Sequence, residues 1–346
     1  MTSPSSKVNR IPALLLTGFL GAGKTTLLRT LLALPQDGDT AVIVNEFGEV
    51  GLDHHLLVGS SETMYVLENG CVCCTQREDL EASLEELFWA RMRREVPRFA
   101  RVVVETTGLA DPTGVLRMVT GNTLAGNRYE WKSVVTLVDG LTGSETLEAH
   151  AAATQQAAMA DHLVISKADL ANAEYVEDLS RRLKILNPDA RLHQAVDGAL
   201  ELSLGALLEP PPGVVKRRLG LLSGNSGAPP HNTEITSCWV QFIASPPRPA
   251  FEAVFAAMLV RLGPDILRAK GIASFAGEAG HSILQYVVGG ALVVEAGSLP
   301  QDPSRPSGIV VIGFGLTASV LEDLFAAHGL DHYLIAENRD GYHHSH

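Results

Sequence analysis

The segment Gly18-Phe19-Leu20-Gly21-Ala22-Gly23-Lys24-Thr25 constrains this chain more than any other. It has the spacing G-x-x-x-x-G-K-[ST]. A short apolar run, Ala13–Thr17, precedes it, and a helical stretch, Lys24–Leu34, follows and ends before Pro35. A strand that turns through glycines into a helix aims backbone N–H groups at one point, and the helix N-terminus favours an anion there. A chance glycine-rich turn is the plain alternative, but it would not need the lysine and threonine. Lys24 is expected to reach the β- and γ-phosphates of a nucleotide, and the Thr25 hydroxyl to ligate Mg²⁺. Gly18, Gly21, Ala22, Gly23, Lys24, Thr25 and Thr26 are the candidate phosphate-binding set.

Such a loop needs a buried strand behind it, and further apolar β-type runs recur. Thr40–Asn45, Met64–Leu67, Arg101–Glu105, Ser133–Asp139 and His162–Ser166 read as strands, with helical stretches between them. Strands buried on both faces and separated by helices predict an α/β fold with a doubly wound, mostly parallel sheet. The helix after Ala171 is expected to stop near Asn187-Pro188. At about 150 residues per domain, 346 residues suggest two domains. The expected division is a polar segment 1–10, a nucleotide-binding domain 11–209, a Pro/Gly/Ser-rich linker 210–233, a smaller α+β domain 234–330, and a His-containing tail 331–346. In the second domain, Ile235–Ala244, Ile283–Val288, Ala291–Glu295 and Ile309–Phe314 read as strands. Helical spacing joins Phe251, Val254, Phe255, Met258, Leu259 and Leu262, and later Val320, Leu321, Leu324 and Phe325. Cys238, alone in a strand, reads as core.

Three further constellations carry chemistry. Val102-Val103-Val104-Glu105-Thr106-Thr107-Gly108 is an apolar strand ending in an acid. Beside a phosphate loop, Glu105 is placed to hold Mg²⁺ and the Gly108 N–H to approach the γ-phosphate; alone it would be an ordinary strand end. Val164-Ile165-Ser166-Lys167-Ala168-Asp169 resembles the strand-end Asn-Lys-x-Asp element that reads guanine. Asp169 would accept from the base's N1–H and 2-amino group, which adenine cannot supply, and the Lys167 stem would lie along the base. Ser166 stands where the pattern has Asn, and a solvated Lys-x-Asp loop is the competing reading. Cys71-Val72-Cys73-Cys74 offers three thiols, two at C-x-x-C spacing. Thr75 and Glu78 follow as a capping-box pair ahead of Leu80, Leu84, Leu87 and Phe88. A helix N-terminus favours thiolates, and three soft ligands suit Zn²⁺ or Cu⁺. A redox dithiol or buried thiols are the alternatives. In Asn45–His55, the position of a switch segment, Glu46 and Glu49 are additional candidate metal ligands.

The charge balance narrows the partners. Lys+Arg is 27 against Asp+Glu 39, a net charge of −12, which argues against nucleic acid bound over a broad basic surface. No run of about 20 apolar residues suggests a membrane span. The polar start lacks signal-peptide features, so a cytoplasmic address is expected. Four cysteines in so long a chain read as metal ligands or redox groups more readily than as disulfides.

Together these motifs resemble the CobW-type GTPases, a family of metallochaperones and metal-insertase helpers. The likeness rests on Thr17–Leu28, Asn45–Glu49, Gly70–Cys74 and Glu105–Pro112, with Arg268-Ala269-Lys270-Gly271 and Val288-Gly289-Gly290 similar to that family's C-terminal domain. The resemblance implies a P-loop GTPase using GTP/GDP, with Lys24, Thr25 and Glu105 as catalytic residues. It implies guanine read by Lys167 and Asp169, Mg²⁺ on Thr25 and Glu105, and a transition metal, zinc first, on Cys71, Cys73 and Cys74. The expected role is metal delivery to a client metalloprotein, with a homodimer left open. The alternatives are a metal sensor or buffer using nucleotide as a structural ligand, insertion of cobalt or iron into a metalloenzyme or cofactor, and a small-molecule P-loop kinase.

Overall fold

The computed structural model describes residues 10–34, 39–44, 77–109, 124–209, 235–263, 265–288, 291–299, 307–330 and 333–338. The first domain runs β1 (Ile11–Gly18), α1 (Lys24–Ala33), β2 (Thr40–Val44), α2 (Arg77–Arg93), β3 (Arg101–Glu105), α3 (Leu124–Arg128), β4 (Tyr129–Asp139), α4 (Gly143–Ala149), α5 (Ala151–Met159), β5 (His162–Ser166), α6 (Ala173–Leu186), β6 (Arg191–Gln194) and α7 (Leu204–Leu208). Its six strands are ordered β2-β3-β1-β4-β5-β6, and every pairing is parallel.

The near-continuous apolar strands follow from burial on both faces. Leu14, Leu16, Val103, Val135, Leu137 and Val164 pack with Leu27, Leu28 and Leu31 of α1 and with Leu204 and Leu207 of α7. Their neighbours Ala13, Leu15, Val102, Val104, Val134, Leu163 and Ile165 face Leu84 and Leu87 of α2, Ala157 of α5, and Leu179 and Leu183 of α6. The parallel register brings the strand ends Gly18, Glu105, Asp139 and Ser166 to one edge of the sheet. Loops leaving that edge make the crevice where open α/β sheets bind ligands. The expected helix stop at Asn187 is a buried anchor. Its Nδ2 lies within hydrogen-bond distance of the Ala157, Ala158 and Ala160 carbonyls, and its Oδ1 accepts from the Ala190 N–H.

The second domain comprises β7 (Ile235–Phe242), α8 (Arg248–Leu262), β8 (Ile266–Ala273), β9 (His281–Val287), β10 (Val293–Leu299), β11 (Gly308–Phe314), α9 (Ala318–Ala327) and β12 (Tyr333–Asn338). The antiparallel sheet is ordered β10-β9-β8-β11-β7-β12. Phe251, Val254, Phe255 and Met258 of α8 and Leu321, Leu324 and Phe325 of α9 cover one face, where Cys238 is buried core as expected. From the other face, Ile235, Leu267, Val310 and Ile312 join the core formed by α5 and α6 of the first domain. Among the described residues no helix is long and apolar enough to cross a membrane.

The structure corrects several readings. Tyr333–Asn338, within the stretch read as tail, pairs with β7 as an edge strand. Six residues are too few for the alternation to stand out between polar neighbours, and β7 supplies the hydrogen bonds that make the strand. Ile266–Ala273 is a further strand, although Arg268 and Lys270 interrupt its apolar run; they are only 6% and 3% exposed. Short, polar β6 is another strand without a continuous apolar run. The expected strand Met64–Leu67 and the capping residue Thr75 lie outside the described residues.

Candidate nucleotide site

The loop between β1 and α1 has the backbone that the glycines predicted. Gly18, Gly21 and Gly23 adopt φ of 143°, 76° and 85°, values L side chains rarely take. They serve different ends. A Cβ at Gly18 would stand 2.5 Å from the Leu137 carbonyl oxygen, so this position needs glycine for close strand packing. At Gly21 and Gly23 a Cβ would meet nothing within 4 Å. Open space therefore lies beside the loop at these two positions, next to the N-terminus of α1, where an anion is favoured. Ala22 is buried beneath the loop in the core, while Thr26 is exposed on the first turn of α1.

Lys24 folds back over the loop, and its Nζ donates to the carbonyls of Gly18 at 2.9 Å and Phe19 at 3.3 Å. Its cation thus lies along the rim of the cradle. Thr25 Oγ1 donates to Glu105 Oε1 at 2.7 Å, across 80 residues of sequence. Glu105 is 1% exposed. A hydroxyl and a buried carboxylate in contact at the loop's edge form a hard-oxygen pair that suits Mg²⁺.

The segment after β3 is fastened to the loop. The Thr106 N–H donates to the Leu16 carbonyl, and Thr106 Oγ1 donates to Thr17 Oγ1 at 2.9 Å. Gly108 lies so close that a Cβ would stand 2.5 Å from the Leu20 nitrogen. Gln156 of α5 donates from Nε2 to the Gly108 carbonyl at 3.2 Å. Gly108 therefore lies against the β1–α1 loop.

Lys167 and Asp169 lie on the loop after β5. Lys167 has a left-handed φ of 53°, and its Nζ donates to Asp139 Oδ2 at 2.6 Å. Asp169 Oδ1 accepts from the Asp197 N–H at 3.1 Å. Asp197 and Gly198, both at positive φ, make a two-residue turn closed by reciprocal hydrogen bonds between Val196 and Ala199. This is the type I′ turn for which Asp-Gly is suited. A Cβ at Gly198 would stand 2.9 Å from Thr26 Cγ2, so the turn closes the gap between the Lys167–Asp169 loop and α1.

The structure thus gathers Gly18, Gly21, Ala22, Gly23, Lys24, Thr25, Thr26, Glu105, Gly108, Lys167 and Asp169 at one edge of the parallel sheet. Cys71, Cys73, Cys74, Glu46 and Glu49 lie outside the described residues. The sequence reading missed Asp139, Gln156 and the Asp197–Gly198 turn. The Asp-Gly pair after a strand carried a legible signal. Asp139 was visible as a strand-end acid, but only the fold names Lys167 as its partner.

Comparison with known proteins agrees with this geometry. The chain is 30% identical over 325 residues to the zinc chaperone YjiA of Escherichia coli, covering 92% of this chain and 99% of the relative. It is 36% identical over 157 residues to the zinc chaperone CobW of Pseudomonas aeruginosa, covering 42% of this chain and 40% of that one. The crystal structure of Zn(II)-bound YjiA GTPase from E. coli superposes with a TM-score of 0.70 at 29% identity, covering 92% of this chain and 99% of that one. Residues 12–194 match the CobW/HypB/UreG nucleotide-binding domain and residues 235–328 the cobalamin synthesis protein CobW C-terminal domain, so the chain belongs to the CobW family of P-loop proteins.

Proposed function

We propose that this chain is a Mg²⁺-dependent GTPase of the cytoplasm that binds zinc at Cys71, Cys73 and Cys74 and delivers it to a client metalloprotein. The contact between Thr25 Oγ1 and Glu105 Oε1 at the rim of an open phosphate cradle carries the GTPase half of this reading. Lys24 leaves the Gly18 and Phe19 carbonyls for the phosphates, exchanging neutral acceptors for charged ones. Mg²⁺ held by Thr25 and Glu105 would supply neutralisation of phosphate charge. Phosphoryl transfer needs positioning and charge stabilisation more than a strong base, so slow intrinsic turnover is expected. The zinc half rests on the cysteine triplet together with relatives named as zinc chaperones and a Zn(II)-bound structure.

Chain order puts the cysteines between the phosphate loop and Glu105. A nucleotide-dependent arrangement of that stretch would make GTP and zinc tighten each other's binding by the same factor, since linkage is reciprocal. The test is an anaerobic zinc titration of the full chain, nucleotide-free, with GDP, and with a non-hydrolysable GTP analogue. The analogue should raise zinc affinity roughly 5- to 150-fold, the ordinary range for such coupling. The combined Cys71→Ser, Cys73→Ser and Cys74→Ser variant should lose tight zinc binding and the coupling, yet keep wild-type GTP affinity. Three equal zinc affinities would replace delivery with a passive metal binder.

A further inference from the structure

The loop that would read the base lacks one of its usual anchors. Ser166 occupies the position where the pattern carries Asn, and its side chain is spent inward. It is 7% exposed, and Oγ donates to the Val138 carbonyl at 3.4 Å. No amide from this position is available to brace the neighbouring loops. The bracing comes from β4 instead. Asp139, its last residue, directs Oδ2 to Lys167 Nζ at 2.6 Å while Oδ1 accepts from the Leu141 N–H at 2.8 Å. The Gly140 N–H donates to the Ser166 carbonyl at 2.8 Å. A Cβ at Gly140 would stand 2.6 Å from that same oxygen. The turn after β4 is therefore packed tightly onto the base-reading loop, and its carboxylate holds the lysine's far end.

We infer that Asp139 is a positioning residue for nucleotide affinity: it holds Lys167 extended at the base-reading loop before nucleotide arrives. This rests on the guanine-reading role proposed for Lys167 and Asp169. A lysine free in solution samples many rotamers and loses that freedom when it lies flat against a base. Here the backbone at Lys167 is already left-handed, with φ of 53°, and the ammonium is tethered 28 residues away in sequence. Only the stem remains to be covered. The ion pair is partly exposed, 35% for the lysine and 13% for the aspartate, so its contribution to stability is small. Its contribution to binding is pre-organisation, because the ordering is done in the free protein.

The test uses the full chain and equilibrium binding of GDP, a non-hydrolysable GTP analogue and its ATP counterpart. Asn keeps the acceptor for Leu141 and removes the charge facing Lys167, so Asp139→Asn should fold and melt as the wild type does. It should weaken both guanine nucleotides about 3- to 10-fold, the cost of immobilising one long side chain, and should leave the preference for GTP over the ATP analogue unchanged, because the stem covers the base's face and Asp169 reads its edge. KM for GTP should rise by the same factor, with kcat unchanged. In a Lys167→Met background the Asp139→Asn change should have no further effect, because its action passes through the lysine. Unchanged guanine affinity in Asp139→Asn, or an equal loss in the Lys167→Met background, overturns the proposal. A wild type that binds both analogues equally overturns the guanine reading itself, and with it this role.

Discussion

Beside the shared apolar core, one buried carboxylate, Asp161, ties the second domain to the first, and replacing it tests what that tie contributes. Asp161 lies between α5 and β5 at 7% exposure. Its Oδ1 accepts from Arg268 Nη2 and, at 3.0 Å, from Lys270 Nζ, while Oδ2 accepts from the Val134 N–H at 3.0 Å. Arg268 also donates from Nη1 to the Met159 carbonyl. Burial alone would raise the pKa of this carboxyl, but the two cations outweigh it and hold Asp161 well below the usual carboxylate range. Asp161→Asn leaves both cations buried without an anion. Removing one partner of a buried ion pair costs about 3–5 kcal/mol, so that is the expected loss in urea-unfolding free energy at pH 7. Replacing Arg268 and Lys270 with Met in the same variant should recover most of it, because no uncompensated charge then remains. The pH dependence has a definite sign. The native value is depressed, so the stabilisation is fully present above the unfolded value near 3.9 and is lost only as pH falls through the lower native one. Between pH 5 and 8 this group should contribute no slope. A loss below about 1 kcal/mol for Asp161→Asn, or no recovery in the triple variant, would refute the reasoning from uncompensated buried charge.

Lys24→Ala should abolish GTP turnover and leave the urea midpoint nearly unchanged, because the bonds from Nζ to the Gly18 and Phe19 carbonyls stay within one loop; turnover near the wild-type rate would remove the phosphate-loop assignment. A second pH effect should come from His162 and His193. His162 Nδ1 is 3.0 Å from His193 Nε2, and His162 Nε2 is 3.3 Å from the Glu209 carbonyl. Burial, then His162 and Arg191, push His193 down to about 4. Burial also lowers His162, against the pull of Asp161 and with Arg191 and Lys270 nearby. The unfolded chain therefore takes up protons that the folded one refuses. Stability is complete above about pH 6.5 and is lost as pH falls towards the native value. With a discount for partial solvent exposure, His193 should account for on the order of 1–2 kcal/mol, read as a steeper fall in melting temperature from pH 7.5 to 4.5 in the wild type than in His193→Gln. Identical profiles would refute it.

The amino-acid sequence alone determined the parts whose geometry is local. A glycine loop between strand and helix, an acid at the end of a valine run, and Lys-x-Asp after another strand each declare a backbone conformation within a few residues. The doubly wound sheet follows because a parallel strand must be apolar on both faces, and β1, β3, β4 and β5 are. What sequence could not supply were partners far along the chain. Arg268 and Lys270 look like solvated charges that break a strand until Asp161, more than 100 residues earlier, is placed against them. Tyr333–Asn338 becomes a strand only because β7 presents a free edge to pair with. Asp139 gains its role from Lys167, and Gln156 from Gly108, because the parallel register aligns strand ends at one edge of the sheet. Conformation is written residue by residue, but the desolvation that makes a charge need its counterpart exists only once the two domains have closed on each other.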